Sequence, residues 1–299
     1  MNYHDPVLLK ESIEYLAVQR DGIYVDVTFG GGGHSRAILE KLGPKGRLLG
    51  FDQDEDARAN VPEDARFTFV AANFRHLKRF LRLHDAARLD GLLADLGVSS
   101  HQFDTADRGF SYRFEAALDM RMNRSEGKTA ADILNTYDPQ TLQQVFGEYG
   151  EVRNARTLAQ KVAELRVKKP FRTVGDLVAM SETLAKGQKM RYLSQVFQAL
   201  RMEVNEEVQV LEELLQGAME ALKPGGRLVV IAYHSIEDRL VKNFLKTGNV
   251  KGEVQTDFFG NIFRPFEILT KKAETPSDEE VIRNPRARSA KLRAGIRSM

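Results

Sequence analysis

Four consecutive glycines, Gly30 to Gly33, stand between an apolar run that ends at Asp26 and a segment with helical spacing that begins at His34. This order predicts a strand, a glycine turn and a helix. Glycine lets a ligand approach the bare backbone, and the first turn of a helix offers N–H groups that have no partner inside the helix. The stretch therefore predicts a binding turn.

A carboxylate follows the glycines at the distance that nucleotide-binding βαβ units use. A second apolar run, from Arg47 to Phe51, ends on Asp52, about 20 positions beyond the turn. In such units this carboxylate accepts hydrogen bonds from ribose hydroxyls. The spacing Gly-x-Gly-x-x-Ser is not the full dinucleotide fingerprint, and an ordinary tight turn followed by a surface aspartate would look similar.

Three further chemical groups follow predicted strands. Phe74 comes after the strand 67–71, Asp95 ends the strand 89–95, and His234 follows the strand 227–233. Because ligands of a doubly wound sheet bind beyond the carboxyl ends of its strands, we expect one crevice, with Phe74 against a flat base and Asp95 accepting from an amino or cationic group. Taken singly, Phe74 could equally be a core aromatic and Asp95 a satisfied strand-end carboxylate.

The segment around His234 invites a metal-site or hydrolase interpretation, but the chain has six scattered histidines and no cysteine. We therefore predict no metal site, and disulfides and thiol nucleophiles are excluded. Ser235 and Asp238 are expected to form a capping box for the following helix, which would leave His234 facing the crevice.

Composition predicts a soluble, cytoplasmic protein. The chain has 299 residues, of which 42% are hydrophobic, and its formal net charge is +2. We find no apolar run of membrane-spanning length and no signal-peptide pattern at the start. Basic residues concentrate between Arg153 and Arg201 and again from Arg283 to Arg297, where we expect a basic tail. Each cluster is either a solvated face or a nucleic-acid contact.

The order of elements predicts an α/β fold. Strands and helices alternate up to Asp95, and about a hundred helical residues follow, with helix starts at Asp138-Pro139 and at Thr173 to Asp176, before the sheet resumes near Arg227. We predict a doubly wound Rossmann-like sheet with an inserted all-helical domain. The expected parts are residues 1–104, an insertion at 105–205, and residues 206–299 with the basic tail.

The cofactor of such a site could be NAD or S-adenosylmethionine. The run Lys223 to Gly226, Lys-Pro-Gly-Gly before an apolar strand, favours S-adenosylmethionine, because this sequence often precedes the fifth strand of methyltransferases that use it.

Seven motifs in order carry a resemblance to a known family. They are VTFGGGGHS at 27–35, FDQD at 51–54, DLGVSSHQFD at 95–104, RGFSY at 108–112, LDMRM at 118–122, AYHSIEDRLVK at 232–242 and NPRARSAKLR at 284–293. Together they resemble the bacterial 16S ribosomal RNA cytosine-N4 methyltransferases, the RsmH or MraW family. Two departures stand out: His101 replaces the usual proline, and residues 115–117 replace an Asp-Gly-Pro-like turn.

The resemblance implies a class I methyltransferase that uses S-adenosyl-L-methionine to methylate the exocyclic amine of a cytosine in the decoding region of 16S rRNA. It implies 16S rRNA within the small ribosomal subunit as partner, and a homodimer is compatible with it. The cofactor-binding residues that it implies are Gly32, Gly33, His34, Asp52, Phe74, Asp95 and Gln102.

For the reaction we predict that Asp95, or a carbonyl of residues 96–98, accepts an amino proton of the cytosine, with His234 as a second candidate acceptor. The absence of cysteine excludes the thiol nucleophile that carbon-5 methylation normally needs. Phe103, Phe110 and Tyr112 either stack on the extruded base or pack between the domains. Two rival functions are also compatible with the sequence: an NAD-dependent oxidoreductase, and a non-catalytic RNA-binding assembly factor.

Overall fold

The computed structural model describes residues 6–98, 103 and 105–299. The chain divides into two compact units. The first, Met1–Gly97 with Gln209–Met299, is called the sheet unit here, and the second, Val98–Val208, is called the helical unit.

Within the described residues, seven strands form one sheet in the sheet unit. They are β1 (Ile23–Asp26), β2 (Arg47–Asp52), β3 (Phe67–Ala71), β4 (Leu89–Asp95), β5 (Leu222–Ala232), β6 (Phe266–Ile268) and β7 (Lys291–Arg297). The order across the sheet is β3-β2-β1-β4-β5-β7-β6, with β1 to β5 parallel and β7 antiparallel to both of its neighbours. The predicted doubly wound Rossmann-like sheet is confirmed, and its chain order reverses between β1 and β4.

The helices of the described chain, in order, are α1 (Leu9–Leu16), α2 (Gly33–Lys41), α3 (Leu77–Leu83), α4 (Ala130–Thr136), α5 (Pro139–Glu148), α6 (Ala155–Lys168), α7 (Val174–Glu182), α8 (Lys189–Val204), α9 (Glu207–Ala221), α10 (Ser235–Thr247) and α11 (Asp278–Arg283). Short 3₁₀ helices cover Glu55–Asn60, Phe74–His76, Ala106–Arg108 and Pro285–Ser289. None of these helices is both long and apolar enough to cross a membrane.

Local sequence explains where several helices begin. Asp138 accepts hydrogen bonds from the first N–H groups of α5, with Pro139 in the first turn, and Thr173 forms a capping box with Asp176 at the start of α7. Both starts were predicted, because a side-chain acceptor at this position satisfies N–H groups that the helix cannot. Thr129 and Asp132 form a further capping box at α4.

The strands at the centre of the sheet are nearly continuous apolar runs because both faces are covered. Leu48, Leu49, Leu92, Leu93 and Val229 are fully buried. Alternate side chains enter two separate core clusters, one of which includes Leu49 and Leu92 and the other Leu48 and Leu93. This burial on both faces holds the carboxyl ends of β1, β2 and β4 in fixed positions.

The C-terminal basic segment is not a tail, which corrects our expectation. Residues Lys291–Arg297 form β7, hydrogen-bonded between β5 and β6. Leu292 and Ala294 are buried, while Arg293 and Lys291 form ion pairs with Asp238. Arg293 is nearly buried against this carboxylate, so the role in phosphate binding that we considered for the segment loses its support at that position.

Two local predictions around β5 were also wrong. The capping box of α10 pairs His234 with Glu237, not Ser235 with Asp238: the buried Glu237 carboxylate accepts the N–H groups of Tyr233 at 3.0 Å and His234 at 3.3 Å. The strand begins at Leu222, and the register with β4 shifts before Arg227, so the glycine-rich residues between them bulge out of the ladder.

The ion pair between Asp238 on α10 and Arg293 on β7 predicts a clear stability effect. Both side chains are only 12–13% exposed, and their N···O distance is 2.6 Å. Asp238→Asn leaves a nearly buried guanidinium without its carboxylate. We therefore expect the free energy of unfolding to fall by about 3 kcal/mol and the melting temperature, measured by scanning calorimetry, to fall by roughly 5–10 °C.

Lys78→Ala is the matched control for this change. It removes an ion pair with Glu220 in which both side chains are about half exposed, so its effect should stay below about 1 kcal/mol. Equal melting temperatures for the two variants would show that the pair between α10 and β7 contributes nothing special.

The helical unit has its own core. Leu142, Phe146, Leu158, Leu177 and Leu200 are fully buried in it. Between β4 and β5 the described residues form helices and one isolated β-bridge, between Ala117 and Thr173. The Ala116 carbonyl accepts the Val174 N–H at 2.9 Å, so part of the segment 115–117, which departs from the family pattern, is tied to the start of α7.

Three aromatic side chains considered for base stacking pack against this core. Phe110 is 5% exposed, and Tyr112 contacts Phe197 edge-to-face with ring centroids 5.7 Å apart. Phe103 is half-buried against the same cluster. Phe110 therefore serves the core of the helical unit, which is neither of the two roles that the sequence left open.

Candidate active site

The glycine turn after β1 has a backbone that other residues would strain. Gly32 has φ +74° and directly precedes α2, and a Cβ atom on Gly33 would lie 2.7 Å from the Pro6 ring. The first residue needs the left-handed region and the second has no room for a side chain. The turn thus presents bare backbone at the carboxyl end of β1.

Asp52 is hydrogen-bonded directly to this turn. One carboxylate oxygen accepts the Gly30 N–H at 2.8 Å, and the other accepts the Asp54 N–H at 2.8 Å. Burial raises the pKa of Asp52 to about 6, against the effect of these two hydrogen bonds. Each oxygen keeps a further lone pair for a ligand donor.

Asp95 is the last residue of β4, beside the point between β1 and β4 where the strand order reverses. Its N–H donates to the Thr28 hydroxyl at 2.7 Å, one carboxylate oxygen accepts from the Tyr233 hydroxyl at 2.8 Å, and the other lies 3.9 Å from His34 Nδ1. Burial raises its pKa to about 6, although His34 and Tyr233 act in the opposite direction. The side chain is still 23% exposed, so a ligand can reach it.

His34 is a buried neighbour of Asp95. Its Nε2 lies 3.1 Å from the Val7 carbonyl, which can only accept, so Nε2 carries the proton. Burial lowers the pKa of His34, which keeps the ring neutral. The lone pair of Nδ1 therefore faces the second Asp95 oxygen, and the two acceptors leave room for a donor between them.

Asp26 adds a third carboxylate, at the end of β1. It is 1% exposed, accepts from the Ser35 hydroxyl at 2.7 Å and from the Thr28 N–H at 3.1 Å, and burial raises its pKa. Its charge also raises the pKa of Asp52 and of Asp95. The carboxyl ends of β2, β1 and β4 thus share an excess of negative charge.

The other predicted site residues lie at neighbouring strand ends. Phe74 begins the 3₁₀ helix after β3 and is half-buried against a core cluster of the sheet unit. Asn73 beside it donates to Gln53, which follows Asp52, at 2.8 Å. His234 follows β5 and is half-buried at the start of α10. Gln102 lies outside the described residues, as does His101.

Sequence reasoning missed Tyr233 and Glu237. The Tyr233 hydroxyl reaches Asp95 because β5 lies beside β4, with Ile231 opposite Asp95. Glu237 then fixes the backbone of Tyr233. The signal that could have revealed the tyrosine was its position beside His234 at the end of a strand, but only the strand order gives that position a meaning.

The arrangement suits a ligand with hydroxyl donors and a positive charge. Asp52, Asp95 and the Nδ1 atom of His34 all offer acceptors, and the glycine turn offers backbone without side chains. Among the described residues there is no group of three or more acidic or histidine side chains placed to hold a metal ion. The reversal of strand order beside these groups is where doubly wound sheets bind nucleotides.

Comparison with known proteins gives a match to one family model and to individual proteins. The model of the MraW methylase family matches residues 1–297. The ribosomal RNA small subunit methyltransferase H of Bacteroides thetaiotaomicron is 56% identical over 98% of this chain and 97% of that protein, and the protein of the same name from Parabacteroides distasonis is 57% identical over 97% and 96%. An rRNA methylase structure from Streptococcus thermophilus is similar with a TM-score of 0.43 and 13% identity, covering 100% of this chain and 99% of that chain.

Proposed function

This chain belongs to the MraW methylase family, and from that premise we propose that it is an S-adenosylmethionine-dependent methyltransferase of small-subunit ribosomal RNA. We propose further that its target is the exocyclic N4 amine of a cytosine in the decoding region of 16S rRNA. The observation that carries the proposal is the joint placement of Asp52 on the glycine turn and Asp95 across the reversal of strand order.

The residues present fit S-adenosylmethionine. Asp52 would accept from the ribose hydroxyls, Gly32 and Gly33 would leave space at the turn, and Phe74 would pack on the adenine. The ammonium group of the methionine part would find two acceptors, Asp95 and His34 Nδ1. The excess of carboxylates suits the sulfonium and ammonium groups of S-adenosylmethionine better than the negatively charged pyrophosphate of NAD. Gln102 remains a proposed cofactor residue through the resemblance.

When bound, S-adenosylmethionine would supply a methyl group on a cationic sulfur, so that the cytosine amine takes the methyl carbon in line and the neutral thioether is the leaving group. The N4 lone pair of cytosine is delocalised into the ring, so the protein has to make the amine more nucleophilic. Asp95 does this by accepting a hydrogen bond from one amino proton, and the Tyr233 hydroxyl keeps the carboxylate oriented. After the transfer N4 would carry a positive charge, so the protein also has to accept one of its protons.

Two groups are proposed to receive that proton. Asp95 has a pKa of about 6, which suits a base at neutral pH, and it lies at the site. His234 is the second candidate, at the end of the adjacent strand β5. The chain has no cysteine, so the thiol that carbon-5 methylation normally uses is absent, which supports the amine as target.

The proposal places the protein in the cytoplasm with 16S rRNA, as part of a small subunit, as its partner. The target base has to leave its stack to reach the end of β4. A homodimer is compatible with this function, and sedimentation of the pure protein would reveal it.

The raised pKa values predict how cofactor affinity depends on pH. Asp52 and Asp95, each with a pKa of about 6, become neutral as the pH falls through that value, so the ribose hydroxyls lose a charged acceptor and the ammonium group loses its anionic partner. His34 stays neutral because its pKa is lowered. We expect constant affinity for S-adenosylmethionine above about pH 7 and a steep loss below about pH 6 in equilibrium dialysis, not below about pH 4, where ordinary aspartates titrate. Unchanged affinity at about pH 5 would contradict this electrostatic account.

Transfer of a labelled methyl group tests the function itself. Small subunits from cells that lack this enzyme are incubated with the protein and labelled S-adenosylmethionine, with large subunits and free 16S rRNA in parallel. We expect label in the 16S rRNA of the small subunits and none in large subunits. A protein that binds RNA and cofactor but labels neither subunits nor free RNA would be an assembly factor.

A further inference from the structure

The exposed face of α10 carries three cations. Arg239, Lys242 and Lys246 are exposed at spacings of three and four residues, which places them on one side of the helix over about 10 Å. The opposite side packs into a core cluster of the sheet unit through Val241 and Phe244. In the part of the chain that the structure describes, none of the three cations has an acidic partner within ion-pair distance.

The two ends of this helix join different features. At its start, Tyr233 precedes His234 and contacts Asp95, so α10 begins at the candidate active site. At its end, Gly248 closes the helix, and a Cβ atom there would lie 3.0 Å from the Phe263 ring. A helix of this length spans about 20 Å. The cations therefore lie on a path from the active site to the segment that contains Phe263.

That segment is an ordered turn with exposed aromatic rings, which we call the aromatic hairpin (residues 254–263). Phe258 is 97% exposed and Phe259 86% exposed. A β-bridge joins Thr256 to Ile262, and the Asp257 carboxylate accepts the N–H groups of Phe259 at 2.8 Å and Asn261 at 2.9 Å. The rings are held out into solvent by an organised backbone, which indicates a surface that binds something.

We propose that the outer face of α10 and the aromatic hairpin form a track for a single-stranded stretch of the RNA substrate next to the target nucleotide. The proposal rests on the function proposed above, because it takes RNA as the substrate. Cations that follow the backbone and aromatic rings that stack on bases are the two parts of single-strand binding sites. On the hairpin and its flanks, Lys251 and Arg264 are offset by Glu253 and Asp257, so the net positive charge lies on the helix.

The charge on α10 argues against a second copy of the chain as the occupant. A two-fold contact through this face would bring Arg239, Lys242 and Lys246 of one copy towards the same residues of the other. Like charges that face each other across an interface cost free energy, whereas phosphates gain it by releasing counterions.

Salt-dependent binding of RNA tests the cations. The probe is a fluorescein-labelled single-stranded RNA of about 12 nucleotides, and the full-length protein is titrated by anisotropy at several salt concentrations. The triple variant Arg239→Gln, Lys242→Gln and Lys246→Gln should reduce the slope of log affinity against log salt by about 2, and weaken binding at about 0.1 M salt by roughly 10- to 100-fold.

The matched control removes three exposed cations at the other end of the sheet: Lys41→Gln, Lys45→Gln and Arg88→Gln. It changes the net charge equally, so its slope should stay close to that of the wild type. Affinity for S-adenosylmethionine, unchanged in both triple variants, shows that they are folded. Equal slopes for the two triple variants would overturn the track.

A second variant tests the hairpin. The double change Phe258→Ala and Phe259→Ala should weaken binding of the same RNA by about 5-fold or more. The slope of log affinity against log salt should stay unchanged, because the rings stack on bases but carry no charge. Leu83→Ala, which removes another exposed apolar side chain, should have no effect. If the double variant changed the sedimenting mass and left RNA affinity intact, the hairpin would bind a second copy and the proposal would be wrong.

Methyl transfer to small subunits separates this proposal from the function beneath it. If the triple variant of α10 transferred methyl groups normally at moderate salt and bound RNA as the wild type does, the proposed track would be wrong and the proposed function would be unaffected. Absence of transfer by the wild type would remove the function, and the binding titrations would still decide on the track.

Discussion

Asp95→Asn should lower the rate of methyl transfer by about 100-fold or more while the protein stays folded. Asparagine keeps an oxygen for the Tyr233 hydroxyl, and the Asp95 N–H keeps its bond to Thr28, so the local backbone is preserved. What disappears is the charge that draws a proton from the cytosine amine, and positioned acid–base groups contribute typically 10²- to 10⁴-fold. The measurement is the single-turnover rate at saturating S-adenosylmethionine, which separates chemistry from cofactor affinity.

Two comparisons sharpen this result. Asp64→Asn removes a carboxylate paired with Arg66 just before β3, at the other end of the sheet, and should leave the rate unchanged. Tyr233→Phe removes the hydroxyl that orients Asp95 and should cause a smaller loss than Asp95→Asn. If the rate for Asp95→Asn were within about 3-fold of the wild-type rate, the acceptor of the amino proton would instead be His234 or a backbone carbonyl after β4.

Asp52→Ala should weaken the binding of S-adenosylmethionine by about 100-fold or more. The change leaves the N–H groups of Gly30 and Asp54 without their carboxylate and removes the acceptor for the ribose. Hydrogen bonds to charged groups contribute about 1.5–3 kcal/mol each, so the loss of two or more gives an effect of this size. Because the chain has no tryptophan, isothermal titration calorimetry is the suitable measurement.

Asp54→Ala provides the neighbouring control. The Asp54 side chain caps the short helix Glu55–Asn60 by accepting the Asp56 N–H, and the change to alanine keeps the main-chain N–H that Asp54 donates to Asp52, so cofactor affinity should change by less than about 3-fold. At saturating cofactor, Asp52→Ala should keep most of the single-turnover rate, in contrast to Asp95→Asn. If the Asp52→Ala protein bound the cofactor normally, the proposal that Asp52 at the end of β2 binds the ribose would be wrong.

Local signals explain which parts of the structure the sequence predicts. The strands β3 and β4 match the predicted ranges 67–71 and 89–95, because each is an apolar run between polar turns. The bond between Gly30 and Asp52 could be anticipated because turn and strand end belong to one βαβ unit. These elements depend on residues close in the chain.

The missed features depend on pairing between distant segments. Arg293 and Lys291 make β7 look like a solvated tail until Asp238, more than fifty residues earlier, provides their partner. The alternation of Leu292 and Ala294 with charged residues was the available signal for a strand. The contact of Tyr233 with Asp95 joins two strands separated by the whole helical unit, and no local pattern encodes it.

The methylated nucleoside itself tests the central claim most directly. Small subunits from cells without this enzyme are treated with the protein and S-adenosylmethionine, and the 16S rRNA is digested and separated by chromatography with mass detection. The account predicts N4-methylcytidine, formed by the wild type and, in the same short incubation, at about a hundredth of that rate or less by Asp95→Asn. Methyl groups found only on carbon 5 of cytosine, or only on a ribose hydroxyl, would contradict it.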